Sequence, residues 1–155
     1  MVGELDYGKP SQISQVAYSG TILVGSTSGG LNNSNIAGLI GYLNGNGYGD
    51  TADCAISFAY TNANFNPSSV PDSSACFIGS IDNGLANVSN SYYNNQICNL
   101  SDSYASAKTT SELQTLSTYT NDGWQICNNN GGDIWHMSNG NYPCLSFNTA
   151  CGVCN

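Results

Sequence analysis

The chain has 155 residues, enough for one domain, and a formal net charge of −8 with two lysines and no arginine. It therefore cannot build the basic patch that nucleic acid or an anionic membrane surface requires, and both are excluded as partners. Hydrophobic residues make up 40% of the chain, which is enough to bury a core. The longest apolar run, IAGLIGYL, is far shorter than the roughly 20 residues of a membrane span, so no membrane insertion is expected.

The polar residues are mostly Asn, Ser, Thr and Gly, which favour turns over helices. This composition predicts an all-β fold with many tight turns. In the first segment, to about residue 35, small or polar residues separate Val16, Tyr18, Ile22 and Val24, which indicates short strands. The opening residues have neither the positively charged n-region nor the apolar h-region of a signal peptide. We therefore expect either a removed leader or a piece of a larger secreted protein.

A repeat occupies the middle segment, residues 36–95. The stretch IAGLIGY is followed 38 residues later by SACFIGS, and both lead into loops rich in Asn, Gly and Asp. The repeat predicts stacked coils that bury their inward faces on one another. Glycines at the end of each step are then expected to be corners. The aligned pairs are Ala37 with Ala75, Leu39 with Phe77, Ile40 with Ile78, and Gly41 with Gly79.

A second strand is predicted after each step of the repeat. Ser57-Phe58 aligns with Ser91-Tyr92, and Ala17-Tyr18 resembles an earlier copy. This alignment predicts that Tyr18, Phe58 and Tyr92 occupy equivalent positions, as the aromatic side chains of stacked coils do.

The third segment, residues 96–155, has a different character and predicts a cap. Thr109 and Glu112 have the spacing of a capping box, and Leu113 and Leu116 lie on one face of the predicted helix of about two turns. A helix here would cover strand edges that otherwise stay free to pair. Trp124 and Trp135 are expected to be buried in this cap, although an exposed Trp that stacks on a sugar is the alternative.

The two middle stretches and the C-terminal stretch together resemble the GLUG-motif repeat family. AGLIGYLNGNGYGDTADCAISFAYTN is similar to the repeat itself, and ACFIGSIDNGLANVSNSYYNN is similar to a degenerate copy. The end of the chain resembles the family's C-terminal motif, with Trp124, Ile134-Trp135 and Gly140-x-Tyr142-Pro143-x-Leu145. The resemblance implies a parallel β-helix or β-solenoid in secreted or surface-attached adhesins. It brings no catalytic residues. The density of cysteines departs from the family's usual pattern.

The cysteines indicate an oxidising compartment and structural disulfides. Because their number is odd, one thiol is free, pairs with another molecule or has lost its partner. A CxxC pair closes the chain without the βαβ context of a redox motif. A zinc site of Cys127, Cys144, Cys151 and Cys154 is the alternative to disulfides. The seven disulfide candidates are Cys54, Cys76, Cys98, Cys127, Cys144, Cys151 and Cys154.

Glycosylation sequons begin at Asn32, Asn87 and Asn99, which fits secretion. His136, with Asp133 and Ser138 nearby, lacks the nucleophile elbow of a hydrolase and is interpreted as structural. The aspartates, including Asp102, are expected to cap turns. The stretch NGNGYGDTAD faintly resembles a calcium loop, so calcium is the one cofactor left open.

These patterns predict an all-β parallel β-helix or β-solenoid with a short C-terminal helix and a disulfide-stapled cap. Coils occupy residues 1–95 and the cysteine-rich cap residues 96–155, within one structural domain. The predicted function is that of a non-enzymatic structural or adhesive module, secreted or at a cell surface, that binds copies of itself, other surface proteins or glycans. The alternative is a carbohydrate-binding or carbohydrate-active β-helix protein. A hydrolase would need paired carboxylates, and a lyase would need cations that this chain largely lacks.

Overall fold

The computed structural model describes residues 2–7, 11–23, 35–45, 54–66, 74–82, 86–127, 132–138 and 140–147. The chain divides into two units, Met1–Ala107 and Lys108–Asn155. In the first unit the chain passes back and forth between two sheets, and the paired strands whose register is defined run parallel.

The first sheet has three strands in the order β1-β3-β5. They are β1 (Val2–Tyr7), β3 (Ile40–Gly45) and β5 (Ile78–Asp82). Val2 lies opposite Ile40, which lies opposite Ile78, so each step along the sheet is 38 residues of chain. An isolated parallel bridge joins Ala37 to Ala75. The alignment predicted from IAGLIGY and SACFIGS is confirmed.

The second sheet has the order β2-β4-β7-β8, and β6 also pairs with β4. Its long strands are β2 (Ser11–Leu23) and β4 (Cys54–Asn66). The shorter strands are β6 (Ala86–Ser89), β7 (Tyr92–Asn94) and β8 (Ser106–Lys108). Strand β4 pairs in parallel with β2 on one side and with β6 and β7 on the other.

The prediction of an all-β solenoid is wrong. The structure is mixed, with mostly parallel sheet, few helices, 50% strand and 9% helix, and its sheets are small. The 38-residue step of the first sheet suggested uniform coils, but the second sheet does not share it. There the step is 43 residues from Ser11 to Cys54 and 32 residues from Cys54 to Ala86. Two strands of 13 residues are followed by strands of four and three residues, so the layers are unequal.

The predicted equivalence of Tyr18, Phe58 and Tyr92 is also wrong. Tyr18 lies opposite Thr61, and Tyr92 lies opposite Tyr60. The sequence alignment paired Ser57 with Ser91, but in the sheet Ser57 lies opposite Ser89. The predicted register was therefore wrong by two residues.

A left-handed residue recurs at one level of the second sheet. Gln15 has a φ of 59°, Phe58 of 53° and Asn90 of 47°, and the strand register places these three residues side by side. Non-glycine residues rarely adopt this conformation, so three in register indicate that the sheet requires the bend. The predicted corners, Gly41 and Gly79, lie inside β3 and β5 instead.

The core of the first unit lies where both sheets contribute apolar side chains. Its buried members are almost completely excluded from solvent, with exposed fractions of 0 or 1%. Burying each large aliphatic or aromatic side chain contributes about 1.5–3 kcal/mol. The cluster consists of Leu39, Ile40, Leu43, Cys54, Ile56, Ala59, Phe77 and Ile78.

One glycine is required by close packing. A Cβ on Gly38 would collide with the carbonyl oxygen of Cys76 and would lie 3.0 Å from Cβ and Oγ1 of Thr61. Thr61 cannot move away freely, because it is fully buried and its hydroxyl donates to that same Cys76 carbonyl at 2.8 Å. Close backbone approach therefore explains the glycine at position 38.

The second unit begins with two one-turn helices, α1 (Thr110–Leu113) and α2 (Leu116–Thr120). The capping box predicted from Thr109 and Glu112 is confirmed. The single two-turn helix is not formed, and Leu116 is 36% exposed while Leu113 is buried. The Thr115 hydroxyl donates a hydrogen bond to the carbonyl oxygen of Ser111 at 2.7 Å. It therefore competes with the backbone N–H that would donate to this carbonyl if the helix continued.

Three aromatic rings form the centre of the second unit. The ring centroids of Trp124 and Trp135 are 5.1 Å apart, and those of Tyr119 and Trp124 are 5.0 Å apart in an edge-to-face arrangement. The Tyr119 hydroxyl donates to the carbonyl of Leu113 at 2.7 Å. Both tryptophans are buried, as predicted, with exposed fractions of 2% and 0%. Strand β9 (Trp135–His136) pairs antiparallel with β10 (Cys144–Leu145).

We expect Gly38→Ala to lower the free energy of unfolding by about 2 kcal/mol, because the added methyl overpacks a site walled by backbone. Urea unfolding monitored by circular dichroism measures the loss. Gly132→Ala is the matched control, since a Cβ there meets nothing within 4 Å. Equal stabilities of the two variants would contradict the close approach at Gly38.

We expect Thr109→Ala to lower the free energy of unfolding by about 1 kcal/mol at neutral pH, because it removes the N-cap acceptor of α1. Hydrogen bonds from Thr109 lower the pKa of Glu112. The reciprocal half of the box is therefore present above the unfolded pKa of Glu112 and is lost as the pH falls through the folded pKa. The difference between wild type and variant should shrink in acid. Thr120→Ala, an exposed threonine in α2, is the control and should change stability little at any pH.

Candidate functional site

The most highly bonded acidic side chain of the described residues is Asp102. Its Oδ2 accepts hydrogen bonds from the backbone N–H groups of Phe77 at 2.7 Å and Ile78 at 3.0 Å. Its Oδ1 accepts from the N–H groups of Tyr104 at 2.8 Å and Ala105 at 3.0 Å. Four backbone N–H dipoles therefore point at one carboxylate, and they compensate its negative charge.

Asp102 replaces a strand at the edge of the first sheet. One level earlier, the N–H groups of Leu39 and Ile40 both donate to the carbonyl of Phe77, each at 3.1 Å. At the last level, the N–H groups of Phe77 and Ile78 find the Asp102 carboxylate where the next backbone carbonyl would lie. The carboxylate thus satisfies buried donors at the sheet's end, which would otherwise be costly.

A disulfide ties the same end together. Cys76 and Cys98 are bonded, with Cα atoms 5.7 Å apart, and pack with Tyr93 in a small buried cluster. The 22-residue separation corresponds to about 3 kcal/mol of stabilisation in the chain-entropy account. Since Phe77 follows Cys76, the disulfide and the Asp102 carboxylate hold adjacent residues.

Among the cysteines that the structure describes, one is a free thiol. Cys54 is a free thiol, fully buried in the core, and burial raises its pKa. In the folded state it therefore cannot link this chain to another molecule. Cys127 and Cys144 are both disulfide-bonded, which removes two of the four proposed zinc ligands. Cys151 and Cys154 lie outside the described residues.

A ladder of polar side chains crosses the second sheet. The Asn94 Nδ2 donates to Asn62 Oδ1 at 3.0 Å, and the Asn62 Nδ2 donates to Ser19 Oγ at 3.4 Å. Asn94 is fully buried, and its Oδ1 also accepts from the N–H groups of Gln96 and Ile97 at 3.0 and 3.3 Å. The ladder runs from β7 through β4 to β2, where it ends on an exposed serine.

The other predicted sites are dispersed. Asn87 lies in β6 and Asn99 follows Cys98, and both side chains are exposed, so glycosylation at these positions stays a prediction. Asn32 and the stretch NGNGYGDTAD lie outside the described residues, where calcium binding also stays a prediction. His136 is half-buried in β9 and lies opposite Cys144. Within the described ranges, no group of three or more His, Cys, Asp or Glu is placed to hold a metal ion.

The local part of the Asp102 cap was predicted, and its long-range part was missed. In many turns an aspartate accepts hydrogen bonds from the backbone N–H groups two and three residues later. Asp102 does so with Tyr104 and Ala105, as the sequence predicts. Its bonds to Phe77 and Ile78 span 25 and 24 residues, and no spacing in the sequence indicates them. The ladder from Asn94 to Ser19 was missed for the same reason.

We expect Asp102→Ala to destabilise the protein by about 2–4 kcal/mol, because it leaves several backbone donors without an acceptor. Asp102→Asn keeps one carbonyl oxygen and should lose less. Thermal and urea unfolding compare the two, with Asp133→Ala and Asp133→Asn as controls. If both Asp102 variants lost no more than their controls, the carboxylate would not be the cap that the geometry describes.

No protein-family model matches the chain, and neither the curated proteins nor the solved structures contain a significant match. The similarity to GLUG-motif repeats stays a resemblance in the sequence. Over the part of the chain that the structure describes, none of the helices is long and apolar enough to cross a membrane.

Proposed function

We propose that the chain is a non-enzymatic structural or adhesive module, a surface scaffold or filament subunit, within a larger secreted protein. The observation that carries the proposal is the use of Asp102, whose two carboxylate oxygens accept four backbone N–H groups. An acid whose two oxygens are both held by backbone N–H groups of its own chain stabilises the end of a sheet. Its chemistry is that of a scaffold residue.

The disulfide supports the extracellular part of the proposal. Cys76 and Cys98 are bonded to each other, and Cys127 and Cys144 each take part in a disulfide. Bonds of this kind persist outside the reducing cytosol. A small unit that holds its sheet end with a disulfide and a carboxylate keeps its shape in dilute, oxidising surroundings. That property is what a displayed module needs.

The proposal is tested by coating beads with the oxidised protein and measuring two kinds of adhesion under flow. Attachment of beads to one another reports self-association, and attachment to glycan-coated or protein-coated surfaces reports binding of other molecules. We expect at least one kind to rise with coating density. Beads coated with a Cys76→Ala/Cys98→Ala variant are the matched control and should adhere less, because the sheet end loses its covalent tie.

Coated protein is first checked for its fold by circular dichroism and for unreactive Cys76 and Cys98 thiols by alkylation. Folded, oxidised protein that produced neither kind of adhesion at any density would overturn the proposal.

A further inference from the structure

Among the described residues the second sheet has one long edge strand, β2, whereas the edge strands on its other side, β6 and β8, have only four and three residues. Strand β4 has hydrogen-bonded neighbours along both edges, whereas β2 has one on the β4 side only among the described residues. Strand β2 is 13 residues long, and twelve of its residues are matched to β4. Long exposed edges of this kind readily accept another strand.

The core shows the same asymmetry. Ile13 and Val16 on β2 lie opposite Ile56 and Ala59 on β4. Ile56 and Ala59 are fully buried, while Ile13 and Val16 pack against the same core cluster but are only partly buried. Two apolar side chains of β2 therefore contribute to the core and still expose surface that one more strand would cover.

The polar ladder ends at the same edge. Asn94 donates to Asn62, and Asn62 donates to Ser19 Oγ on β2. The Ser19 hydroxyl carries a proton of its own, and the residue is exposed. A further strand with an Asn or Asp side chain in register would offer the carbonyl or carboxylate oxygen that continues the ladder.

We propose that β2 is a docking edge for an extended strand of a partner protein, added in parallel. The partner strand carries small or aliphatic side chains over Ile13 and Val16 and a side-chain oxygen acceptor over Ser19. This inference goes beyond the proposed function, because it requires neither adhesion nor secretion.

The parallel direction follows from the bend in the sheet. Gln15, Phe58 and Asn90 have left-handed φ values at one register level. A parallel strand that bends at the same level follows β2 along its whole length, whereas a strand with the opposite direction meets the bend out of register.

A second copy of this chain is a poorer occupant. The edge strands that it would have to present to β2 are β6 and β8, whose four and three residues cannot match the 13 residues of β2, and Asp102 already holds the N–H groups of Phe77 and Ile78 at the end of the first sheet. Pairing of β2 with β2 about a two-fold axis would be antiparallel, unlike the β2–β4 pair.

The test uses the full chain and a labelled synthetic peptide with the sequence of β4, Cys54–Asn66, in which Cys54 is replaced by alanine. This probe has Ile56, Ala59 and Asn62 in the register that β2 requires. Fluorescence anisotropy should show saturable 1:1 binding. Ser19→Ala should weaken binding about fivefold, the effect of one hydrogen bond. Ser117→Ala, an exposed serine in α2, is the control and should bind as the wild type does.

Strand pairing is distinguished from unspecific apolar binding by N-methylated probes. One probe carries N-methyl groups at odd positions between Ala59 and Phe65, and the other carries them at even positions. Because successive residues of a strand direct their N–H groups to opposite edges, one probe should lose binding and the other should keep it. Equal behaviour of both probes would overturn the proposal.

Direction is measured with spin labels on exposed positions at the two ends of β2, introduced as Gln12→Cys or Leu23→Cys. Thirteen residues of strand span about 40 Å. A label at the N-terminus of the probe should lie near position 12 and far from position 23. The reverse result would overturn the parallel assignment. A dimer of the free chain in sedimentation that Val16→Lys abolishes would also overturn it, in favour of a second copy as the occupant.

Discussion

Backbone amides at the last level of a parallel sheet need acceptors, and in this protein a single carboxylate supplies them. Asp102 holds the N–H groups of Phe77 and Ile78 at the sheet end and those of Tyr104 and Ala105 in its own turn. Phe77 and Ile78 are core residues with exposed fractions of 0 and 1%. Their burial is compatible with satisfied hydrogen bonds only because the acid is there. The core of the first unit therefore depends on a polar contact at its boundary.

The left-handed residues Gln15, Phe58 and Asn90 explain why the buried side chains of the second sheet do not follow a simple alternation. At a regular strand position, neighbouring side chains alternate between the faces of the sheet. A left-handed residue interrupts this alternation, so Ile56 and Ala59 both reach the core although they are three residues apart. The bend is paid for in local strain of about 1–3 kcal/mol per residue. Packing on both sides of it offsets that cost.

The two ends of the second sheet are treated differently, and this difference organises the surface of the first unit. Toward the C-terminal side the second sheet ends in the short strands β6 and β8, while the Asp102 carboxylate caps the first sheet beside the disulfide between Cys76 and Cys98. Toward β2 the apolar positions are only partly covered and the polar ladder ends on an exposed hydroxyl. Among the described residues, β2 is therefore the longest strand with a hydrogen-bonded neighbour on one side only.

The sequence by itself determined the features that depend on near neighbours or on an exact repeat. The step from Ile40 to Ile78, the capping box of Thr109 and Glu112, and the burial of both tryptophans follow from spacing and from the cost of exposing large apolar rings. The register of the second sheet does not follow, because its steps of 43 and 32 residues differ from the 38-residue repeat, and neither Gln15 nor Phe58 carries a signal for its left-handed conformation.

Only the tertiary structure decided which polar side chains serve distant backbone. The sequence predicts only that Asp102 caps a turn, yet half of the hydrogen bonds that it accepts come from residues 24 and 25 positions away. Close packing requires a glycine at position 38, because Cys76 and Thr61 approach it from segments distant in the sequence. Such contacts form between segments that are far apart in the sequence. No local sequence pattern therefore indicates which residues will meet.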